Sequence, residues 1–163
     1  MADALSRGKK VQDWALRQDV ADTIFDLFGQ PDVDMMATRE SSKTERFWGW
    51  RKDPCAEGID SLSPIVSWWG IGYPYVFPPP PLIAKVLDKI VQAKLKEAFI
   101  IAPWWYSKTW FPRLRIMTSD MRRLPLRGCL VRDLSNPEIV IDSSQLKLVA
   151  IQGFGESSTE MQT

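Results

Sequence analysis

Histidine is absent from all 163 residues, and this absence excludes more chemistry than any feature present. It removes Ser/His and Cys/His nucleophile pairs, HExxH zinc sites and imidazole acid–base catalysis together. Catalysis would have to use carboxylates, Lys, Tyr or a bound cofactor. Cysteine is nearly as scarce: Cys55 and Cys129 are the only two, too few for a disulfide framework, and they read as two reduced, partly buried thiols. Charge of one sign is also missing. Twenty-one Lys and Arg against twenty Asp and Glu leave a net charge of +1, so no global field draws the chain to nucleic acid or to an anionic membrane, and any such contact has to be local. No apolar run reaches the length of a membrane span, and none follows the basic pair Lys9-Lys10, so the expected setting is intracellular, in cytoplasm or nucleus, with no membrane partner.

What is there is an ordinary globular balance, 45% hydrophobic and 25% charged. A chain of this length forms one domain and buries roughly 70% of its unfolded surface. Residues 1–12 carry no apolar period and read as a tether, residues 13–155 as the folded domain, and residues 156–163 as a polar tail. Val20, Ile24, Leu27 and Phe28 recur at helical spacing, and Gly29 with Pro31 stops that helix near Phe28. A buried strand is expected over 32–37, further strands over 47–50 and 73–77, and a short helix over 57–62.

The best helix follows the four prolines 78–81. Leu82, Ile83, Val86, Leu87, Ile90 and Val91 make one stripe, and Lys85, Asp88, Lys89 and Gln92 make the other. It leads into the unbroken apolar run 98–102, which suits a central parallel strand. Strand, amphipathic helix and apolar strand together are the signature of a βαβ crossover. A further helix is expected over 109–117, with shorter strands over 124–126, 129–132, 139–141 and 146–151. The fold class is therefore α/β, on a parallel sheet.

The segment Tyr75-Val76-Phe77-Pro78-Pro79-Pro80-Pro81 lies at the carboxyl end of a strand, where open α/β sheets place ligands. A Pro-Pro pair there resembles the Asn/Asp-Pro-Pro-Tyr motif of amino-methyltransferases, whose amide or carboxylate accepts a hydrogen bond from the target amine while the aromatic ring stacks on a flipped base. Phe77 stands where that acceptor would be and Pro80 where the ring would be. The plainer reading is a rigid proline turn that launches a helix.

An S-adenosylmethionine site would add a glycine-rich turn after the first strand. The two G-x-G pairs, Gly70-Ile71-Gly72 and Gly153-Phe154-Gly155, sit at no such turn, so no cofactor is expected. The acids available for a ribose hydroxyl are Asp34, Asp53 and Asp60, each equally suited to a cap or a turn. No metal site is read from the sequence. Eight tryptophans are unusually many. Trp104, Trp105 and Trp110, with Lys108 and Arg113, are candidates for stacking on nucleic acid, against the alternative that these rings belong to the core.

Several stretches together resemble a known arrangement. In order they are Asp13-Trp14-Ala15-Leu16, the run from Phe28 through Asp34-Met35-Met36-Ala37-Thr38-Arg39, Phe47-Trp48-Gly49-Trp50 with Asp53-Pro54, Ile59-Asp60-Ser61-Leu62, Tyr75-Val76-Phe77-Pro78-Pro79, and Ile100-Ile101-Ala102-Pro103-Trp104 with Trp110-Phe111-Pro112. They resemble the region after RNase H in polyproteins of DIRS-like, tyrosine-recombinase retrotransposons, over about two thirds of the chain.

That region is similar to phage-type DNA N6-adenine methyltransferases, and the resemblance implies a Rossmann-like, methyltransferase-type parallel sheet flanked by helices. Ala2-Asp3-Ala4-Leu5-Ser6-Arg7 also resembles the closing segment of a retroelement RNase H domain, which would make Asp3 a stranded metal-binding carboxylate. Implied partners are nucleic acid and adjacent polymerase, RNase H or recombinase domains. With Phe77 at the acceptor position, the expectation is a non-catalytic accessory domain. The rival is an active S-adenosylmethionine-dependent methyltransferase in which Asp34 or Asp60 replaces the lost group.

Overall fold

Phe99, Ile100, Ile101 and Ala102 are all fully buried, as a strand must be when both faces of its sheet are covered. They belong to β6 (Phe99–Pro103), near the middle of the larger of two sheets. The computed structural model describes residues 15–105 and 107–124, together with the backbone of three later strands at 130–131, 140–141 and 148–152. The other strands are β1 (Ala15–Leu16), β2 (Val33–Asp34), β3 (Arg46–Gly49), β4 (Gly58–Ile59), β5 (Pro74–Val76), β7 (Asp120–Arg123), β8 (Leu130–Val131), β9 (Val140–Ile141) and β10 (Leu148–Gln152). The helices are α1 (Gln18–Phe28), α2 (Ile83–Gln92) and α3 (Phe111–Met117).

The large sheet runs in the order β4-β3-β2-β5-β6-β10-β7. Its first five strands are mutually parallel, and β10 is antiparallel to both β6 and β7. Counted from β2, the order is 3-2-1-4-5, then the inserted reversed strand, then 6. That is the doubly wound order with one antiparallel insertion, so the fold is α/β and Rossmann-like. A small antiparallel sheet, β1-β8-β9, completes the described strands.

The expected crossover is present: β5 passes through a 3₁₀ turn at Pro80–Leu82 and α2 to β6, its parallel neighbour. Pro at the start of a helical segment has no N–H to waste, so the proline run suits this start. The sheet alternates as a two-sided core should. Val33, Val76, Ile100 and Ala102 pack with α2 and α3, while Tyr75, Phe99 and Ile101 pack with α1. On the α1 face the Phe25 ring meets Tyr75 and Phe99 edge-on at 5.5 and 5.1 Å, a favoured aromatic geometry.

Two expectations are corrected. Residues 57–62 form no helix: Gly58 and Ile59 pair with Trp48 and Gly49 as a parallel edge strand, and Asp60 takes a left-handed φ of 54° that ends it. The strand expected at 124–126 lies mostly outside the described residues; Leu124 falls just past Asp120–Arg123, the residues that β10 pairs with. On α2, Lys89 is buried and Val91 exposed. The Lys89 ammonium donates to the carbonyls of Ser63 (2.7 Å) and Val66, so the helix turns this residue toward the loop covering the sheet.

That loop matters because no helix intervenes between β2 and β3 or between β3 and β4. Trp68, 1% exposed, fills the space, and its indole N–H donates to the Ser61 carbonyl at 2.8 Å. No helix among the described residues is long and apolar enough to cross a membrane.

Candidate functional site

In the doubly wound order the strand direction of growth reverses between β2 and β5, and ligands of such sheets bind outside the carboxyl ends at that point. The residues there are Asp34, which ends β2, with 35–38 after it, and Phe77 to Pro80 after β5. Asp34 and Tyr75 are paired across the strands, so their side chains share the α1 face. Phe77 packs on that same face, against the cluster of Phe25, Tyr75 and Phe99. Its partly buried ring covers that core, and Pro78 beside it is buried.

The turn after β2 is closed on itself. Met35 N–H donates to the Tyr75 carbonyl at 2.9 Å and Ala37 N–H to the Trp48 carbonyl at 2.9 Å. Met36 N–H donates to Asp34 Oδ1 at 3.3 Å and Thr38 N–H to Ser41 Oγ at 2.8 Å. Four consecutive amides, the groups that cradle a ligand in sheets of this kind, thus have protein acceptors. Ser61 Oγ donates to the Met35 carbonyl at 2.7 Å, and the Met35, Met36 and Ala37 side chains are buried.

Asp34 is 2% exposed. Its Oδ2 accepts the Lys43 N–H at 3.0 Å. Burial pushes its carboxyl up to about 7, against the opposing pull of the Lys43 and Met36 N–H bonds and the Lys43 charge. Lys43 reaches over the same face, donating from Nζ to the Leu16 carbonyl at 2.8 Å and to Gln18 Oε1 at 3.4 Å. Burial lowers its ammonium, partly offset by Asp34 and Asp22.

The other two candidate acids sit at the same edge, beyond β3 and β4. Asp53 accepts from the Arg39 guanidinium at 2.7 Å and from the Cys55 N–H at 2.8 Å. The Arg39 bond is the main reason its carboxyl lies below the usual range. Asp60 accepts the Leu62 N–H at 3.3 Å, an Asx turn. Both hold turns, in line with the cap-or-turn alternative, and Asp53 adds an ion pair with Arg39 that the sequence did not suggest. Cys55 is free and exposed; Cys129 and Asp3 lie outside the described residues.

After β6 the chain brings three of the five nucleic-acid candidates together. Lys108 Nζ lies 5.5 Å from the Trp105 ring, and Trp104 packs edge-on against Phe111 at 4.7 Å with the Arg115 guanidinium 5.8 Å from its ring. The remaining two are placed elsewhere. Trp110 is 7% exposed and part of the core, so its ring offers no face for stacking. Arg113 Nη1 pairs with Asp88 of α2 at 2.7 Å.

Two participants carried no chemical signal in the sequence: Lys43, and Ser61, which was named only within the resemblance. Their roles depend on contacts with distant segments, which no spacing encodes. Among the described residues no group of three or more His, Cys, Asp or Glu is placed to hold a metal ion. No protein-family model matches the sequence, and no curated protein matches it.

Proposed function

We propose that the chain is a catalytically silent, methyltransferase-like accessory domain of a retrotransposon reverse transcriptase/RNase H polyprotein, or of a gene derived from one, and that it contacts nucleic acid. The observation that carries this reading is the state of the two strand ends at the switch point. Phe77 has no lone pair to accept a bond from an amine, and its partly buried ring packs against the core of the α1 face. Asp34, the nearest carboxylate in the pairing, lies on the α1 face and already accepts two backbone N–H groups.

S-adenosylmethionine fits the residues present poorly. The turn after β2 has no glycine, its amides are engaged within the protein, and the acid beyond β3 is paired with Arg39. The ordered resemblance to the retrotransposon region supports the polyprotein context.

The test uses the purified chain with S-adenosylmethionine carrying a labelled methyl group and an adenine-containing DNA. No incorporation is expected, and titration calorimetry with millimolar cofactor should give no heat of binding. Incorporation above a no-protein control would replace this reading with the active methyltransferase.

A further inference from the structure

Charge is unevenly distributed along a nearly neutral chain. Residues 104–124 hold five cations (Lys108, Arg113, Arg115, Arg122 and Arg123) and a single acid, Asp120, against a whole-chain net charge of +1. The rest of the chain is therefore net acidic, and this stretch is a local basic surface that a polyanion would favour.

The sheet register brings one of these cations, Arg123, to the edge where the loop after β6 emerges. Ala102 of β6 pairs with Val149 of β10, and Val149 pairs with Arg123 of β7. Arg123 is thus level with Ala102, two strands away, at a distance of roughly 10 Å from strand spacing alone. Because β6 and β7 both run antiparallel to β10, they are parallel to each other, and the carboxyl end of β7 emerges beside the loop that follows β6. Directly opposed residues share a face, so Arg123 lies on the Ala102 side. That is the side of the core formed with α2 and α3, against which Trp104 and Trp105 pack. Lys108, Arg115 and Arg123 are all exposed.

We infer that Trp105, Lys108, Arg115 and Arg123, at the common carboxyl edge of β6 and β7, form a binding surface for single-stranded nucleic acid. The cations take phosphates, and the half-buried Trp105 ring, kept beside a lysine, offers a base its stacking surface. β7 has all four residues exposed and ends the sheet among the described strands, leaving this side open to an extended strand. Arg113 stays with Asp88, and the surface does not involve the crevice between β2 and β5. The inference rests on the proposed function only in taking nucleic acid as the partner. Methyl transfer by the chain would overturn the silent reading and leave this surface standing.

The experiment measures anisotropy of a dye-labelled oligothymidylate titrated with the full chain over a salt series, beside the variant Lys108→Glu/Arg115→Glu/Arg123→Glu and the single variant Trp105→Ala. All four positions lie outside the fully buried core, and melting curves confirm folding. The wild type should bind with strong salt dependence. The triple variant should lose about tenfold or more in affinity and about 2 in the slope of log K against log salt, from about 0.7 per phosphate contact. Trp105→Ala should weaken the single strand several-fold and leave a duplex of equal length unchanged. No binding at low salt, or equal affinity in the folded triple variant, overturns the inference. So does binding to phosphatidylserine vesicles with none to the oligonucleotide, which would assign the charge to a membrane surface.

Discussion

Asp34 and Lys43 hold each other at both ends of the connection from β2 to β3: the carboxylate accepts the Lys43 backbone N–H at 3.0 Å, and the Lys43 charge partly compensates the burial of that carboxylate. The lysine side chain then continues to the carbonyl of Leu16 in β1. One buried acid thus ties the turn at the switch point to the start of the described chain. A carboxyl pushed up to about 7 in this position is a consequence of desolvation, and it makes the tie sensitive to pH.

The sign of that sensitivity follows from linkage. An unfolded Asp releases its proton near its ordinary value of 3.8, while folded Asp34 releases it at about 7, so between these values the folded chain holds the extra proton. Stability from this group is complete below about pH 4 and falls as the pH rises to about 7, then levels off. The loss across the window is on the order of 4 kcal/mol at most. Urea denaturation of the wild type and of Asp34→Asn from pH 4 to pH 8 isolates the effect, since other acids cancel in the difference. The wild type's advantage over the variant should shrink with rising pH. A constant difference would show that Asp34 does not titrate in this range.

At Phe77, restoring an acceptor should cost stability without bringing back chemistry. Phe77→Asn removes part of the ring cluster around Phe25, Tyr75 and Phe99, a loss of about 1–3 kcal/mol for a partly buried ring. The amides after β2 remain occupied in the variant, so labelled methyl transfer should stay at background. Transfer appearing on this single change would mean that the rest of the site is intact.

Legibility in the sequence followed the range of the contacts. The unit β5, α2 and β6 was readable because its signals are local: a 3.6-residue stripe, a proline start and a continuous apolar run. Gly58–Ile59 and Asp120–Arg123 were not, since β4 has two residues and no pattern, and all four residues of β7 are exposed. Each is a strand only because a distant partner, β3 or β10, pairs with it. Lys89 and Val91 exchanged their expected faces for a similar reason, as the acceptors of Lys89 are carbonyls 23 and 26 residues earlier. The edge of the sheet that bears the candidate site was visible from the proline motif. That Asp34 would be buried with its turn closed around it was not, because Ser41, Lys43, Trp48 and Tyr75 all contribute to that closure.

Gly58 should tolerate no side chain. A Cβ there would stand 2.3 Å from the Trp48 ring, well inside van der Waals contact. The ring packs against the core, so Gly58→Ala forces Trp48 or the edge strand to move. Overpacking of this kind costs about 1–3 kcal/mol. The check is the urea midpoint at neutral pH, with Trp48→Phe/Gly58→Ala as the companion. The smaller ring should recover part of the loss, and an equal loss in both would place the strain in the backbone.

Lys89 offers the clearest view of how the loop after β4 is fixed. The residue is 6% exposed and its ammonium donates to the carbonyls of Ser63 and Val66, while the loop carries Ser61, which bonds the Met35 carbonyl, and Trp68 of the core. Lys89→Met keeps the length and apolar stem of the side chain and removes its charge, leaving two acceptors without this donor. Each carbonyl left unsatisfied costs about 1–3 kcal/mol, and the loop can recover hydration only by opening. Amide hydrogen exchange should therefore accelerate over 61–69 and at the turn after β2, with little change in the α1 face around Phe25 and Phe99. Acceleration spread evenly over the whole chain would instead mean that Lys89 stabilises the fold globally and has no particular hold on the loop.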